Sequence, residues 1–185
     1  LEWFPGRFLI EGDRNDYDYI YAREKLATLA GKKLHGKRNH IARFKDSGDW
    51  SYEPMTAENI EECRTMTYTW IHMREEKWNE EMNQEISVLH EAFDHMQELG
   101  LVGGVLRRDG QIVAFSIGER LNSETFVVHF EKAYPDLQGA YPMINQQFVL
   151  HECEGYAYVN REEDTGDPGL RKAKLSYYPD ILLPK

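Results

Sequence analysis

Cysteine is scarce: 185 residues hold two, Cys63 and Cys153, too few and too far apart for a disulfide framework. Neither matches a metal or redox spacing, so both are expected as buried free thiols in a reducing compartment, with the cytoplasm as the default. No apolar run approaches the roughly 18 residues of a membrane span, and no signal peptide or lipid anchor is legible. Cations are outnumbered, 22 Lys and Arg against 32 Asp and Glu, for a formal net charge of -10. That balance argues against binding nucleic acid or anionic membrane by bulk charge and leaves room for a local basic site. There is no Gly-x-Ser-x-Gly elbow, Walker loop or Gly-x-Gly-x-x-Gly fingerprint, so serine hydrolase, nucleotidase and dinucleotide readings lack support.

What is present is the composition of one soluble globular domain, 41% apolar and 29% charged. Asp13, Asn15, Asp16 and Asp18 suggest a calcium loop, but the sixth position is Asp18 where an EF-hand needs glycine. The opening of the chain alternates aromatics with Asp and Arg, and residues 17–21 read as an extended segment. A short helix over 22–30 follows, stopped by Gly31. Between Lys25 and Lys45 there is no Asp or Glu. Within that stretch GKKLHGKRNHIARF sets Lys37, Arg38 and Asn39 among flexible glycines and imidazoles, the company a phosphate prefers.

Thr56 can cap a long helix with Ile60, Cys63, Thr67 and Trp70 on its inner face, widened by Met66 and Met73. A second helix carries Ile86, Leu89, Phe93, Met96 and Leu99 and stops at Gly100. His90 and His95 are five apart, not the four of a helical metal pair. The period then switches to strand: 101–106 and 112–117 flank an Arg-Asp-Gly turn, and 125–133 adds a third strand, an antiparallel meander. On that strand His129 and Glu131 share one side, Phe130 and Lys132 the other. A loop leads into a helix over 140–152, ended by Gly155.

The closing stretch YVNREEDTGDPGLRKAKLSYYP reads as strand, acidic turn and helix, with Asp167 as N-cap, Pro168 in the first turn and Pro179 as a stop. Helical spacing puts Leu170, Ala173 and Tyr177 on one side for packing and Arg171, Lys174 and Tyr178 on another for chemistry. His129 and Glu131 with the lone Cys153 do not make a zinc deaminase site, because Pro-Cys-x-x-Cys is missing. No metal site is expected.

The order of two helices, a meander, a loop holding Gln138, Gly139 and Ala140, a helix, a strand and a helix resembles the GNAT acyltransferase fold. That is an α/β (α+β) class, a mixed central sheet with an antiparallel meander flanked by helices. The resemblance implies that the Gln138–Ala140 loop offers N–H groups to the pyrophosphate of an acyl carrier, that Glu131 serves as base and that Tyr177 or Tyr178 serves as acid. GKKLHGKRNHIARF, HFEKA, QGAYPMIN and NREEDTGDPGLRKAKLSYYP are similar to the DUF2156 family, whose C-terminal part resembles phosphatidylglycerol lysyltransferase. This implies the second half of a tandem GNAT arrangement, with an N-terminal half preceding Leu1. It also implies Asn160, Asp164, Arg171 and Lys174 as substrate contacts, and aminoacyl-tRNA or acyl-CoA as acyl donor. After Gln138 the glycine comes at once and Tyr141-Pro142 intervene, a departure from the acyl-CoA pattern. Three functions stay open: transfer of an acyl or aminoacyl group to an amine or hydroxyl; a module that binds an anionic ligand such as tRNA, a nucleotide or a phosphorylated metabolite; and acyl-CoA-dependent N-acylation.

Overall fold

A computed structural model describes residue 7 and residues 12–74 and 80–185. Most of the aromatic and charged alternation read at the opening of the chain lies outside the described residues. The elements are β1 (Asp18–Ala22), α1 (Arg23–Thr28), α2 (His35–Asp46), β2 (Trp50–Pro54), α3 (Ile60–His72), α4 (Glu80–Asp94), β3 (Val102–Arg108), β4 (Gln111–Arg120), β5 (Thr125–Ala133), α5 (Ala140–Glu152), β6 (Tyr158–Asn160), α6 (Pro168–Leu175) and β7 (Ile181–Leu183). They build one seven-stranded mixed sheet in the order β2-β3-β4-β5-β6-β1-β7. All neighbours run antiparallel except β5 and β6. This is a GNAT-like architecture.

Each face of the sheet buries its own core. Phe115, Ile117 and Val105 pack against Cys63, Met66, Trp70, Leu89 and Phe93 of α3 and α4. Ala114, Leu106 and Ala133 pack on the other side with Ile41, Phe44, Met143, Ile144 and Phe148 of α2 and α5. From Phe130 onward the alternation of β5 holds: Lys132 reaches Glu85 of α4 at 2.6 Å, whereas Glu131 accepts from Asn145 of α5 at 2.9 Å.

Several boundaries differ from the sequence reading, each for a local reason. The basic stretch read for its charge and flexible glycines is largely a twelve-residue helix, α2, because burial of Ile41 and Phe44 carries it through Gly36. α1 stops at Thr28 because Leu29, fully buried, takes a left-handed conformation at φ 50. α3 starts at Ile60, one turn after Thr56, whose backbone N–H donates to Asn59 Oδ1 at 2.8 Å. α4 ends at Asp94, and Leu99 is exposed in the turns that follow.

The face of α6 departs from the expectation, although Tyr177 just beyond it is buried as expected. Leu170 and Ala173 are exposed, while Lys174 and Tyr177 are buried and Arg171 is half-buried. The cause is polar: this side of the helix meets a bend of free backbone carbonyls at 161–163, and Lys174 satisfies them. Lys174 Nζ donates to the carbonyl of Arg161 at 2.6 Å, that of Glu162 at 3.2 Å, and that of Glu163.

Two features open the sheet where the site lies. Ile117 pairs with Phe130 but Gly118 pairs with Val128, so His129 is an extra residue, a β-bulge. Gly118 is required there, since a Cβ would fall 2.2 Å from the Val127 carbonyl oxygen. β5 and β6 then pair only through Thr125–Val127 and Tyr158–Asn160. Beyond that point β5 runs on to Ala133 while the other chain bends away, with Glu162 at φ 56. The two parallel strands therefore splay apart.

Candidate functional site

Side chains bridge the splay. Arg161, the first residue past β6, donates Nη2 to Glu131 Oε1 at 2.9 Å, and Asn145 Nδ2 donates to Glu131 Oε2 at 2.9 Å. Both side chains of the ion pair are nearly enclosed, 11% and 12% exposed. Burial works most strongly against the charge of Arg161, and Glu131 with Tyr21 and Tyr177 together more than restores it, so its pKa lies above the ordinary value. One bulge residue away, His129 places Nδ1 2.9 Å from Glu162 Oε1 and Nε2 3.1 Å from Glu119 Oε1. The contact to Glu162 chiefly raises its pKa, against the cost of burial, and Glu119 adds to the rise.

Around Glu131 three buried polar atoms have no hydrogen-bond partner among the described residues: Arg161 Nη1, Asn145 Oδ1 and Ser116 Oγ. Ser116 is the residue directly opposite Glu131 on β4, hence on the same face. Buried polar groups are nearly always satisfied in folded proteins, so three orphans around one carboxylate mark a place built to receive something polar.

Tyr177 closes the inner side. Its ring lies under two cations, Lys37 Nζ at 4.1 Å and the Arg161 guanidinium at 5.0 Å. Burial pushes its phenol well above the ordinary range, so it stays a neutral O–H donor, and among the described residues nothing hydrogen-bonds it. Tyr21 packs edge-on against it at 6.4 Å and donates its own hydroxyl to the Lys174 carbonyl at 2.8 Å. Glu131, Tyr177 and Lys37, drawn from three distant stretches of sequence, therefore meet, and Arg161 and Asn145 join them.

The other expected residues stand elsewhere or are engaged. Asp164 is fully buried and accepts from Arg171 Nε at 2.7 Å and Nη2 at 2.6 Å, from the Gly166 N–H at 3.0 Å and from the Tyr19 hydroxyl. The Arg171 guanidinium holds its carboxyl far below the usual carboxylate range, and burial opposes that only in part. Arg171 also donates to Asn15 Oδ1 at 2.7 Å. Asn160 donates to Asp18 Oδ2 at 2.8 Å and accepts from the Glu162 N–H at 2.8 Å. Lys174, pulled down to about 8 by burial and then by Arg161, binds the three carbonyls named above. These four residues fix the turn from β6 to α6 and thereby aim Arg161. Tyr178 is exposed at φ 56 beneath Lys33, 5.0 Å from its ring.

At the start of α5, Gly139 sits at φ 88 with the His40 carbonyl oxygen 2.3 Å from where a Cβ would be. α2 therefore lies against this helix terminus. The Ala140 N–H is already donated to the Leu137 carbonyl at 3.1 Å, and Pro142 has no N–H to offer. Gln138 is exposed. Arg38 caps α1 instead of facing solvent, donating to the carbonyls of Leu29 and, at 2.8 Å, Gly31, and Asn39 lies 3.2 Å from His35 Nε2. An open cleft of about 420 Å³ occupies the far edge, at β2 and α3. Its charges are spent on each other, Arg107 binding Glu53 at 2.9 Å and Glu62 at 2.6 Å. Among the described residues no group of His, Cys, Asp and Glu could hold a metal, and no helix is long and apolar enough to cross a membrane.

The family model described as "Phosphatidylglycerol lysyltransferase, C-terminal" matches residues 3–185. The chain belongs to that family. Within the phosphatidylglycerol lysyltransferase C-terminal family, a Bacteroides thetaiotaomicron protein of unknown function superimposes with a TM-score of 0.93 at 46% identity, over 98% of this chain and 62% of that one. The C-terminal DUF2156 domain of a putative lysylphosphatidylglycerol synthetase from Agrobacterium fabrum superimposes with a TM-score of 0.65 at 15% identity, over 94% of this chain and 59% of that one, a likeness of fold. An uncharacterised Mycoplasmoides gallisepticum protein is 24% identical over 189 residues, 99% of this chain and 59% of its own length. The chain thus spans about three fifths of these relatives. The family is one of transferases by its description.

The sequence reading did not single out Arg161, Asn145 or Ser116. Arg161 stands at the head of a charged run whose surface character masks it, yet its position directly after a strand was a usable signal. Asn145 and Ser116 carry no charge and sit inside apolar elements, where an isolated polar residue is the signal.

Proposed function

We propose that this chain is the catalytic half of an acyltransferase that moves an aminoacyl group from an anionic carrier, charged tRNA, to an amine or hydroxyl acceptor. The observation that carries it is Arg161: Glu131 holds one guanidinium nitrogen, and the other, Nη1, is buried without a hydrogen-bond partner among the described residues. A fixed, desolvated donor of this kind is what a tetrahedral oxyanion needs, because it costs no reorganisation when charge develops. Asn145 Oδ1 is a matching acceptor for an N–H or O–H of the nucleophile. Tyr177 supplies a proton to the departing alkoxide. Glu131, read as a base from the sequence, is assigned the orientation of Arg161 and Asn145, since both its oxygens already accept hydrogen bonds.

Charge favours an anionic donor. Arg161 and Lys37 both face Glu131, Lys174 faces it together with Glu162 and Glu163, and exposed Lys32, Lys33 and Arg43 extend the positive face at and before α2 in an otherwise acidic protein. The covered start of α5 argues against a CoA pyrophosphate at the usual helix terminus. The Agrobacterium relative is a putative lysylphosphatidylglycerol synthetase, and lysine is accordingly the first amino acid to test. An N-terminal GNAT-like half in the same protein and a cytoplasmic location, where charged tRNA is available, complete the proposal. The test supplies full-length protein with tRNA charged with labelled amino acid and a panel of amine and hydroxyl acceptors. Transfer of label supports the reading. Salt-sensitive tRNA binding without transfer would instead favour a non-catalytic module reading the α2 face.

A further inference from the structure

The proposed transfer leaves one proton without an owner, that of the attacking nucleophile, and Lys37 is placed to take it. Lys37 projects from α2, half-buried, over the Tyr177 ring. Among the described residues its ammonium meets no carboxylate or carbonyl at hydrogen-bond distance. Lys33 over Tyr178 and Lys45 over Trp50 make the same kind of contact, but at the surface, where Lys37 is half-buried. Lys25, Lys132, Lys174 and Lys185 each donate to oxygen.

The groups facing Lys37 come from three directions: Glu131 on β5, Arg161 after β6 and Tyr177 after α6. We propose that Lys37, as the free amine, is the general base that accepts the proton of the nucleophile. The proposal rests on the transferase reading above. Burial, and then repulsion from Arg161, pull its ammonium down to about 8, with Glu131 opposing, so a usable share is unprotonated near neutral pH. Tyr177 contributes a ring and not an anion, so its pull on the ammonium is that of a cation–π contact and not of an ion pair.

The balance is closed. The acceptor nitrogen or oxygen bonds to the acyl carbon, its proton passes to Lys37 Nζ, and the ester C–O bond to the carrier breaks. Tyr177 protonates the leaving alkoxide. The Lys37 ammonium afterwards returns its proton to the tyrosinate, on whose ring it already lies, and no other reactant is required.

Lys37→Arg separates this role from simple charge, because a guanidinium keeps the cation and cannot be deprotonated in a protein. The experiment compares unaltered full-length protein with K37R for transfer from charged tRNA between pH 6 and 9. The unaltered protein should gain rate through about pH 8. In K37R the rate should fall on the order of 100-fold or more, with KM for charged tRNA little changed and the rise with pH gone. A K37R protein that keeps both its rate and its pH profile overturns the base role and leaves the transferase reading intact. Absence of transfer by the unaltered protein sinks both. Independently of activity, acetic anhydride labelling of Lys37 followed by mass spectrometry should be half-maximal near pH 8. Titration at the ordinary lysine value of about 10.4 overturns the proposal even if K37R does not fold.

Discussion

Arg161 donates to Glu131 Oε1 at 2.9 Å with one end of its guanidinium, and the other end is buried facing no partner. Those two facts have opposite consequences. The pairing with Glu131 belongs to stability, and the unpaired nitrogen to chemistry.

For stability, removing one member of an enclosed pair strands the other. Arg161→Met should cost about 3–5 kcal/mol in urea unfolding, since Glu131 would keep only Asn145. The double variant E131L/R161M should recover much of that loss, because no uncompensated charge is left in the fold. Equal losses in the single and double variants would mean that the pair itself holds the splay together.

Acid should act chiefly through Asp164. Its folded-state pKa is depressed by Arg171, so its contribution is present above the unfolded value of about 3.9 and is lost as pH falls below it. Unfolding free energy of the unaltered protein should therefore fall steeply between about pH 4 and pH 2, and Asp164→Asn should flatten that fall while lowering stability at pH 7. Parallel curves for the two proteins would remove Asp164 from the account.

Acetyl-CoA should leave Tm unchanged. The terminus of α5 that would take its pyrophosphate has α2 against Gly139, a spent Ala140 N–H and a proline at position 142. A saturable upward shift in thermal unfolding would reopen the acyl-CoA reading.

Much of the fold was legible from residue patterns that act locally. The bounds of α5 at Ala140 and Glu152, the Arg108–Gln111 hairpin and the Asp167 cap, which accepts from the Leu170 N–H at 2.6 Å, all follow from turn chemistry and periodicity. β2 and β7 were not read. They are short, and their pairing with β3 and β1 is decided by partners far away in the chain. α2 was not read as a helix because its buried stripe is only Ile41 and Phe44 and Gly36 interrupts its first turn.

In the site, Glu131, Tyr177 and Lys37 were visible as chemistry-bearing types, but their convergence depends on the bulge at His129 and the splay of β5 from β6. The inward turn of Lys174 had no hydropathic sign. It answers three carbonyls exposed by the bend at Glu162, and a backbone bend leaves no mark in composition.

The most direct test of the central claim is a single-turnover measurement of aminoacyl transfer from charged tRNA by Arg161→Lys beside the unaltered full-length protein. Lysine can keep a charge near Glu131 but cannot present a second fixed nitrogen. The account predicts a loss of about 100–1,000-fold in the transfer step with charged tRNA bound as tightly as before. An Arg161→Lys protein that transfers at the unaltered rate would contradict it.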